Sequence, residues 1–513
     1  MSPHERAMTR QDSLSSPSSS ERPARSPYHT AEQIQAPLWQ PQARFVCALS
    51  LLACFLLGAY YFYGFVVPQT PSRMSKASAA LIPELPLWGF VAALPLPILS
   101  TPAVLSICLI GVAMGAFMCY ALAVYLSWNR PSTKLTLGMA MVGSIVFFMV
   151  AMWSFPNTRT DIFNYIVNGR IAAVYSHNPY YVPAVHFPDD PIYPYAGKQY
   201  TAVPADAKLP VWTLISIALA WLAGDNPITN LLIYRGTFLL FNIANLALIA
   251  LLLSKLKPTF LLAGVIAYGW HPIVAVFGQD KTDTVMVFFL LLAVLFLVHT
   301  RRWLGMASLA LSVLVKLLTL PLIAVYGLRE IRLGRWRELG SSVLVLGVTA
   351  VVTYSAFWDG PRMLFDHLNL LRAGGIPTPG ALLLLVRVGF VLLVLGVGLT
   401  QDGSVEKLLR GWAVVMLYFA LFLTKFGFTW YLLSLIALIS LVLEWRLMLI
   451  TIVLSFTSFL FNSWYMVSTP AFPLPDLLPW PRFVVYLALP CLTAIGLAAL
   501  GSGKTLLRRY RLL

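Results

Sequence analysis

Long apolar runs separated by short polar turns set the pattern of this chain. Residues 45–65, 104–128, 135–155 and 231–253 are nearly uninterrupted apolar stretches, each about the 20 residues that a helix needs to cross a bilayer. No segment between such runs is long enough for a soluble domain; the longest, 156–208, predicts an extended loop. The Ser- and Pro-rich stretch 11–26 has too little apolar surface to bury, so residues 1–44 are expected to form a disordered tail. The first apolar run starts too late and is too long for a cleavable signal.

Positive charge orients the spans, because Lys and Arg accumulate at their cytoplasmic ends. The clusters are Arg130/Lys134, Lys255/Lys257, Arg301/Arg302, Arg329/Arg332/Arg335/Arg337, Lys407/Arg410, Arg446 and the tail Lys504/Arg508/Arg509/Arg511. Held inside, they place 70–100, 156–229, 279–283, 357–379, 425–429 and 465–481 outside, and about twelve full spans satisfy the pattern. Both termini are then cytoplasmic and the largest polar loop lies on the other face. Residues 209–224 are apolar but short, and crossing there would put Lys255 and Lys257 outside; they predict a helix along the outer interface. Residues 304–327 have basic clusters on both sides, which one crossing cannot satisfy. Two half-membrane helices meeting near Lys316 or Pro321 can, provided the break is buried or lines a cavity.

Composition narrows the class further. Of 513 residues, 59% are hydrophobic and 11% charged, with mean hydropathy +0.77, whereas soluble chains carry about 25% charged residues. The net charge of +16 is distributed by membrane side and not gathered on one face, which argues against a nucleic-acid partner. All five cysteines lie in apolar runs, so no disulfide framework or zinc cluster is expected.

The candidate chemistry lies in the outer loops. Asp161 follows a span end and opens a helical spacing that aligns it with Asn164/Tyr165 and Asn168. A carboxylate there suits a group arriving at the outer leaflet; the same position also suits a helix cap by Thr160 or Asp161. Gly278-Gln-Asp-Lys-Thr-Asp283 puts two carboxylates and a lysine in one short turn, more charge than a hairpin needs. Asp280 and Asp283 could orient an acceptor or bind a divalent cation through oxygen. His271, inside a span, fits a hydrogen-bonded core histidine better than a catalyst. Arg235, Lys316, Arg387 and Lys425 sit in or at the edge of apolar segments, where charge is expensive. Arg235 and Lys425 could reach the outer interface along their stems; otherwise, without matching buried carboxylates, these cations predict an anionic ligand, and lipid phosphate is the obvious one. The aromatic run around Trp430 and Tyr431 reads as an interfacial belt or a sugar-stacking platform. Gly501-Ser-Gly-Lys-Thr505 is not a phosphate loop, since Ala498 stands where the first glycine is required.

Taken in order, Asp161-Ile-Phe-Asn-Tyr-Ile-Val-Asn-Gly-Arg170, Asn178-Pro-Tyr180, Leu209-Pro-Val-Trp212, Trp270-His-Pro272 with the 278–283 turn, Leu314-Val-Lys-Leu317 with Pro321, and Trp430-Tyr431 resemble one family. That family is the GT-C superfamily of membrane glycosyltransferases, in particular the prokaryotic polyprenyl-phosphate-mannose-dependent mannosyltransferases. Two motifs depart from its pattern. Leu209-Pro-Val replaces the usual Tyr-Gly-Pro-Leu or Pro-Pro-Leu, and Gly-His-Asn-Asp has become Gly278-Gln-Asp-Lys-Thr-Asp283, which leaves open whether Asp280 or Asp283 carries the role.

The resemblance implies an all-α multi-span helical bundle with added N-terminal spans 45–134, a catalytic core 135–443 and C-terminal spans with a basic tail 444–513. It implies transfer of a hexose, mannose by analogy, from a polyprenyl-phosphate donor to a glycolipid, glycan or protein acceptor at the outer face of the cell membrane. Asp161 would be the general base. Arg170, Arg235, Arg387 and Lys425 would hold the donor phosphate; Asn164, Tyr165, His177, Trp430 and Tyr431 would contact substrate. A magnesium or manganese ion at Asp280/Asp283 is a possible addition. A lack of any cytoplasmic domain for a nucleotide sugar supports the lipid-linked donor. The main alternative is a transporter or flippase for a lipid-linked or anionic substrate, which would concentrate ionisable groups near the midplane. A polymerase or ligase of glycan precursors would need a larger late outer loop.

Overall fold

The computed structural model describes residues 40–61, 80–87, 102–128, 130–156, 161–197, 201–202, 209–361, 380–423, 429–467 and 488–497. The expected tail before residue 40, the end after 497, Thr160 and Lys425 lie outside these residues. Regular structure among the described residues is entirely helical. Two long helices, α1 (Gln40–Tyr61) and α2 (Pro102–Ser127), pack along each other, and α3 (Lys134–Trp153) follows. Next come the shorter α4 (Asp161–Ala173) and α5 (Pro210–Ala223), which pack together, and the 30-residue α6 (Pro227–Leu256).

The middle of the chain is built from interrupted helices. Trp270-His271-Pro272 splits one apolar run into α7 (Leu261–Gly269) and α8 (Pro272–Phe277), because proline removes a backbone donor and belongs at a helix start. His271 caps α8, its Nδ1 accepting from the Ile273 N–H at 3.1 Å. After α9 (Asp283–Val298), α10 (Arg302–Val315) stops at Lys316, whose backbone is extended, before α11 (Leu320–Arg332). The break falls at Lys316, and Pro321 sits harmlessly in the first turn of α11. The last helices are α12 (Trp336–Tyr354), α13 (Gly380–Leu399), α14 (Val405–Phe422), α15 (Leu433–Val442) and α16 (Trp445–Val467).

Among the described residues, five helices are long and apolar enough to cross a membrane: Ile107–Ser127, Lys134–Trp153, Pro227–Leu256, Trp336–Phe357 and Trp445–Asn462. This is a multi-span membrane protein. The remaining apolar segments, among them α7, α9 and α10, are shorter helices. Centrally, α7 is enclosed by α2, α3, α6 and α15, and residues 262–269 are all buried. A helix apolar all round belongs in such a place.

Apolar contact alone does not set helix register in a bilayer, where lipid competes equally, so buried polar groups do much of that work. Asn242 and Asn245 project from α6 into the bundle. The Asn242 amide donates to the Gly278 carbonyl at 3.0 Å, and Asn245 donates to the Thr284 carbonyl at 3.0 Å. Tyr268 joins the two, receiving from Asn245 and donating to Asn242. These bonds fix both ends of the 278–284 turn to α6. Ser312 donates to the Met286 carbonyl at 2.8 Å and meets the Thr319 hydroxyl at 3.0 Å, tying the Lys316 break to α9.

Candidate functional site

Three distant parts of the sequence supply a cluster of ionised side chains. Asp161 is the first residue of α4; Asp280 and Lys281 come from the turn before α9 and Asp283 opens that helix; Lys316 comes from the α10–α11 break. The turn of 3-10 helix Thr429–Leu432 adds Trp430 and Tyr431, and is pinned by the Thr429 hydroxyl donating to the Ser458 carbonyl at 3.1 Å.

The cluster contains two units of the same design. In the first, the Lys281 ammonium pairs with Asp161 Oδ2 and lies 3.5 Å from the centroid of the Trp430 ring. In the second, Lys316 Nζ donates to both oxygens of Asp283 at 2.9 Å and lies 3.9 Å from the centroid of the Tyr431 ring. The Trp430 and Tyr431 ring centroids are 6.3 Å apart, so the units are neighbours. Lys281 and Asp283 are 1% exposed, whereas Lys316 is 16% and Asp161 23% exposed, so access is from the Asp161–Lys316 side. Burial pulls the Lys281 ammonium below the ordinary lysine range, and the charges of Asp161, Asp280 and Asp283 oppose that fall.

A third pair supports the turn from behind. Arg235 Nη2 lies 3.0 Å from Asp280 Oδ1, both side chains fully buried, and Arg235 Nη1 donates to the Ser154 carbonyl at the end of α3. A cation at a helix C-terminus is favourably placed against the helix dipole. Three carboxylates (Asp161, Asp280, Asp283) thus face three cations (Lys281, Lys316, Arg235). For Arg235 and Lys316 this corrects the expectation of buried cations lacking carboxylate partners: among the described residues the charges of the cluster balance, as a low-dielectric interior demands. Among the described residues, no group of three His, Cys, Asp or Glu side chains is placed to hold a metal ion. Arg235 pairs with Asp280 and Lys316 with Asp283.

Other expected site residues are placed elsewhere. Arg170 is 1% exposed and donates to Asp190 at 2.8 Å, to Asp225 at 2.6 Å and to the Gly224 carbonyl at 2.6 Å. Those hydrogen bonds outweigh burial and hold its guanidinium above the usual arginine range. Asn164 is buried and accepts from the Gly197 N–H at 3.2 Å. Tyr165 is buried edge-on to Trp212, centroids 5.5 Å apart. Both anchor α4 beneath its loop and α5. His177 is exposed on the loop, bound to the Tyr175 carbonyl, and Arg387 is exposed on α13; among the described residues no bond joins either to the cluster.

Sequence reasoning gave no role to Lys281, although it noted the excess charge of its turn. It also passed over Gln279, which is fully buried on that turn; among the described residues neither end of its amide has a hydrogen-bond partner. An unsatisfied buried amide is costly and suits a site that receives a polar ligand.

Comparison with protein-family models, with curated proteins and with solved structures found no match to this chain.

Proposed function

We propose that the protein is a glycosyltransferase of the GT-C type, which moves a hexose from a polyprenyl-phosphate donor to a glycolipid, glycan or protein acceptor outside the membrane. The observation that carries this reading is the meeting of Asp161, the 278–283 turn, Lys316 and Trp430–Tyr431 in one partly open cluster. Those are the segments that carry the family resemblance, and they come together from positions up to 270 residues apart.

In this reading about twelve spans cross the bilayer, α10 and α11 form a half-spanning pair, and α5 lies at the outer interface. Both termini are cytoplasmic and the cluster opens outward. Mannose as the sugar rests on the resemblance alone.

Asp161 is the candidate base: it has a carboxylate, is partly exposed, and stands at the edge of the cluster. It takes the proton of the acceptor hydroxyl as that oxygen bonds to the anomeric carbon. The bond from that carbon to the phosphate oxygen breaks, its electron pair leaves with the polyprenyl phosphate, and the configuration inverts. Neighbouring cations stabilise the negative charge that grows on the phosphate. Arg235 enters through Asp280, which it holds, and Arg170 remains with Asp190 and Asp225. The Trp430 and Tyr431 rings offer apolar faces to the sugar.

The test is incorporation of labelled sugar from synthetic polyprenyl-phosphate-mannose, -glucose or -arabinose in membranes that overproduce the protein. Incorporation by the wild type and its loss in Asp161→Asn are expected. Movement of the donor between leaflets with no sugar transferred from any of the three would favour a flippase and overturn the enzyme reading.

A further inference from the structure

We propose that Lys281 and Lys316 together form the binding site for the donor's phosphate, and that binding works by exchange: the phosphate displaces Asp161 and Asp283 from the two ammonium groups. The inference rests on the lipid-phosphate donor proposed above, and it names the residues that would recognise it. An ammonium has three N–H donors. Among the described residues, Lys281 bonds to Asp161 alone and Lys316 to Asp283 alone. Each is otherwise capped by an aromatic face, which attracts the cation but leaves its remaining donors free to turn toward an incoming anion.

Charge explains why exchange is required. Among the described residues the cluster's three carboxylates match its three cations, so a phosphate added without displacement would bring extra negative charge to a largely buried place. Arg235 and Asp280 are fully buried, with Arg235 also held by the Ser154 carbonyl, and they stay paired. Lys281 and Lys316 are on flexible stems, and the partly exposed members of their units, Asp161 and Lys316, lie on the open side. Moving Lys281 onto phosphate has a second consequence. It frees Asp161 from its counter-ion when donor is bound, so the base becomes competent only with substrate in place. Lys281 and Lys316 are thereby assigned as binding residues, and Asp283 as the competitor that holds Lys316 in the empty site.

Exchange makes a prediction of opposite signs that a structural ion pair does not. Binding of a short-chain polyprenyl phosphate to purified protein in nanodiscs would be followed by calorimetry and by intrinsic tryptophan fluorescence, with the unphosphorylated polyprenol and inorganic phosphate as comparison probes. Lys316→Met and Lys281→Met should each weaken polyprenyl-phosphate binding by about tenfold or more. Asp283→Asn should tighten it by several-fold, because the competitor is gone. Polyprenol binding should be unchanged throughout. Tighter binding of inorganic phosphate than of the lipid phosphate would assign the site to a free anion and overturn the donor assignment. Weaker binding in Asp283→Asn, matching Lys316→Met, would overturn the exchange. Should a single lysine variant fail to fold, the charge-balanced Lys316→Met/Asp283→Asn double variant carries the test: it must bind weakly, and wild-type affinity refutes the role of Lys316. Because binding is measured without sugar transfer, the site can fail while the transferase reading stands, or the reverse.

Discussion

Arg170 and Lys281 are both buried cations paired with aspartates, yet their surroundings differ in kind. Arg170 spends its guanidinium on Asp190, Asp225 and the Gly224 carbonyl. Asp190 is itself saturated, accepting also from the Tyr175 hydroxyl at 3.0 Å and the Ile192 N–H at 2.8 Å. Lys281 has a single carboxylate and a ring face. One cluster is closed and locks α4, the loop and the α5–α6 junction together; the other is incomplete and opens to the surface. Burial of charge therefore does not distinguish a working site from a structural one. Unused hydrogen-bonding capacity does.

Substitutions in the two clusters should separate along that line. Asp161→Asn should lower transfer by a factor of about 10²–10⁴, the usual worth of a positioned base. Its loss of stability should be smaller than that of Arg170→Met, because Asp161 is partly exposed and the charges of Asp280 and Asp283 still oppose that of Lys281. Arg170→Met should do the reverse. It strands Asp190 without its cation, and breaking a buried pair costs about 3–5 kcal/mol; thermal unfolding in detergent should show a large loss, with turnover per folded molecule much less affected. The mostly exposed Asp225 contributes little to that loss. Smaller again is Gly169→Ala. A Cβ there would lie 2.5 Å from the Ser216 carbonyl oxygen and 2.7 Å from the Tyr234 hydroxyl, so α4 must move off α5 at a cost of about 1–3 kcal/mol. Trp430→Leu should be mildest, removing a cation–π contact worth about 1 kcal/mol and raising the donor KM several-fold. Trp430→Phe should recover part of it. Equal effects of Arg170→Met and Asp161→Asn on turnover per folded molecule would erase the distinction between the clusters.

How much of this was legible in the sequence depends on the range of the interaction. The helical turn that Asp161 opens follows from the local spacing to Asn168, though not its extent to Ala173, and the break near Lys316 follows from basic residues on both sides of one apolar run. Partnerships were not legible. Asp161 meets Lys281 across 120 residues, and Arg170 meets Asp225 across 55, through irregular segments with no periodic signal. Arg235 read as an anion binder because its partner, Asp280, lies on a different element. The same spacing that aligned Asn164 and Tyr165 with Asp161 said nothing of the loop and α5 that cover them. Trp270-His271-Pro272 reads from the sequence as lying inside one span, whereas the helix breaks there, because Pro272 lacks the backbone donor that would carry it on.

The most direct test uses purified protein in nanodiscs with polyprenyl-phosphate-mannose and an acceptor glycolipid, counting polyprenyl phosphate released against sugar transferred. The wild type should give equal amounts of the two, and Asp161→Asn should give both at about a hundredth of the wild-type rate or less. Transfer by Asp161→Asn at the wild-type rate, or sugar incorporated without polyprenyl phosphate released, would contradict the proposed mechanism.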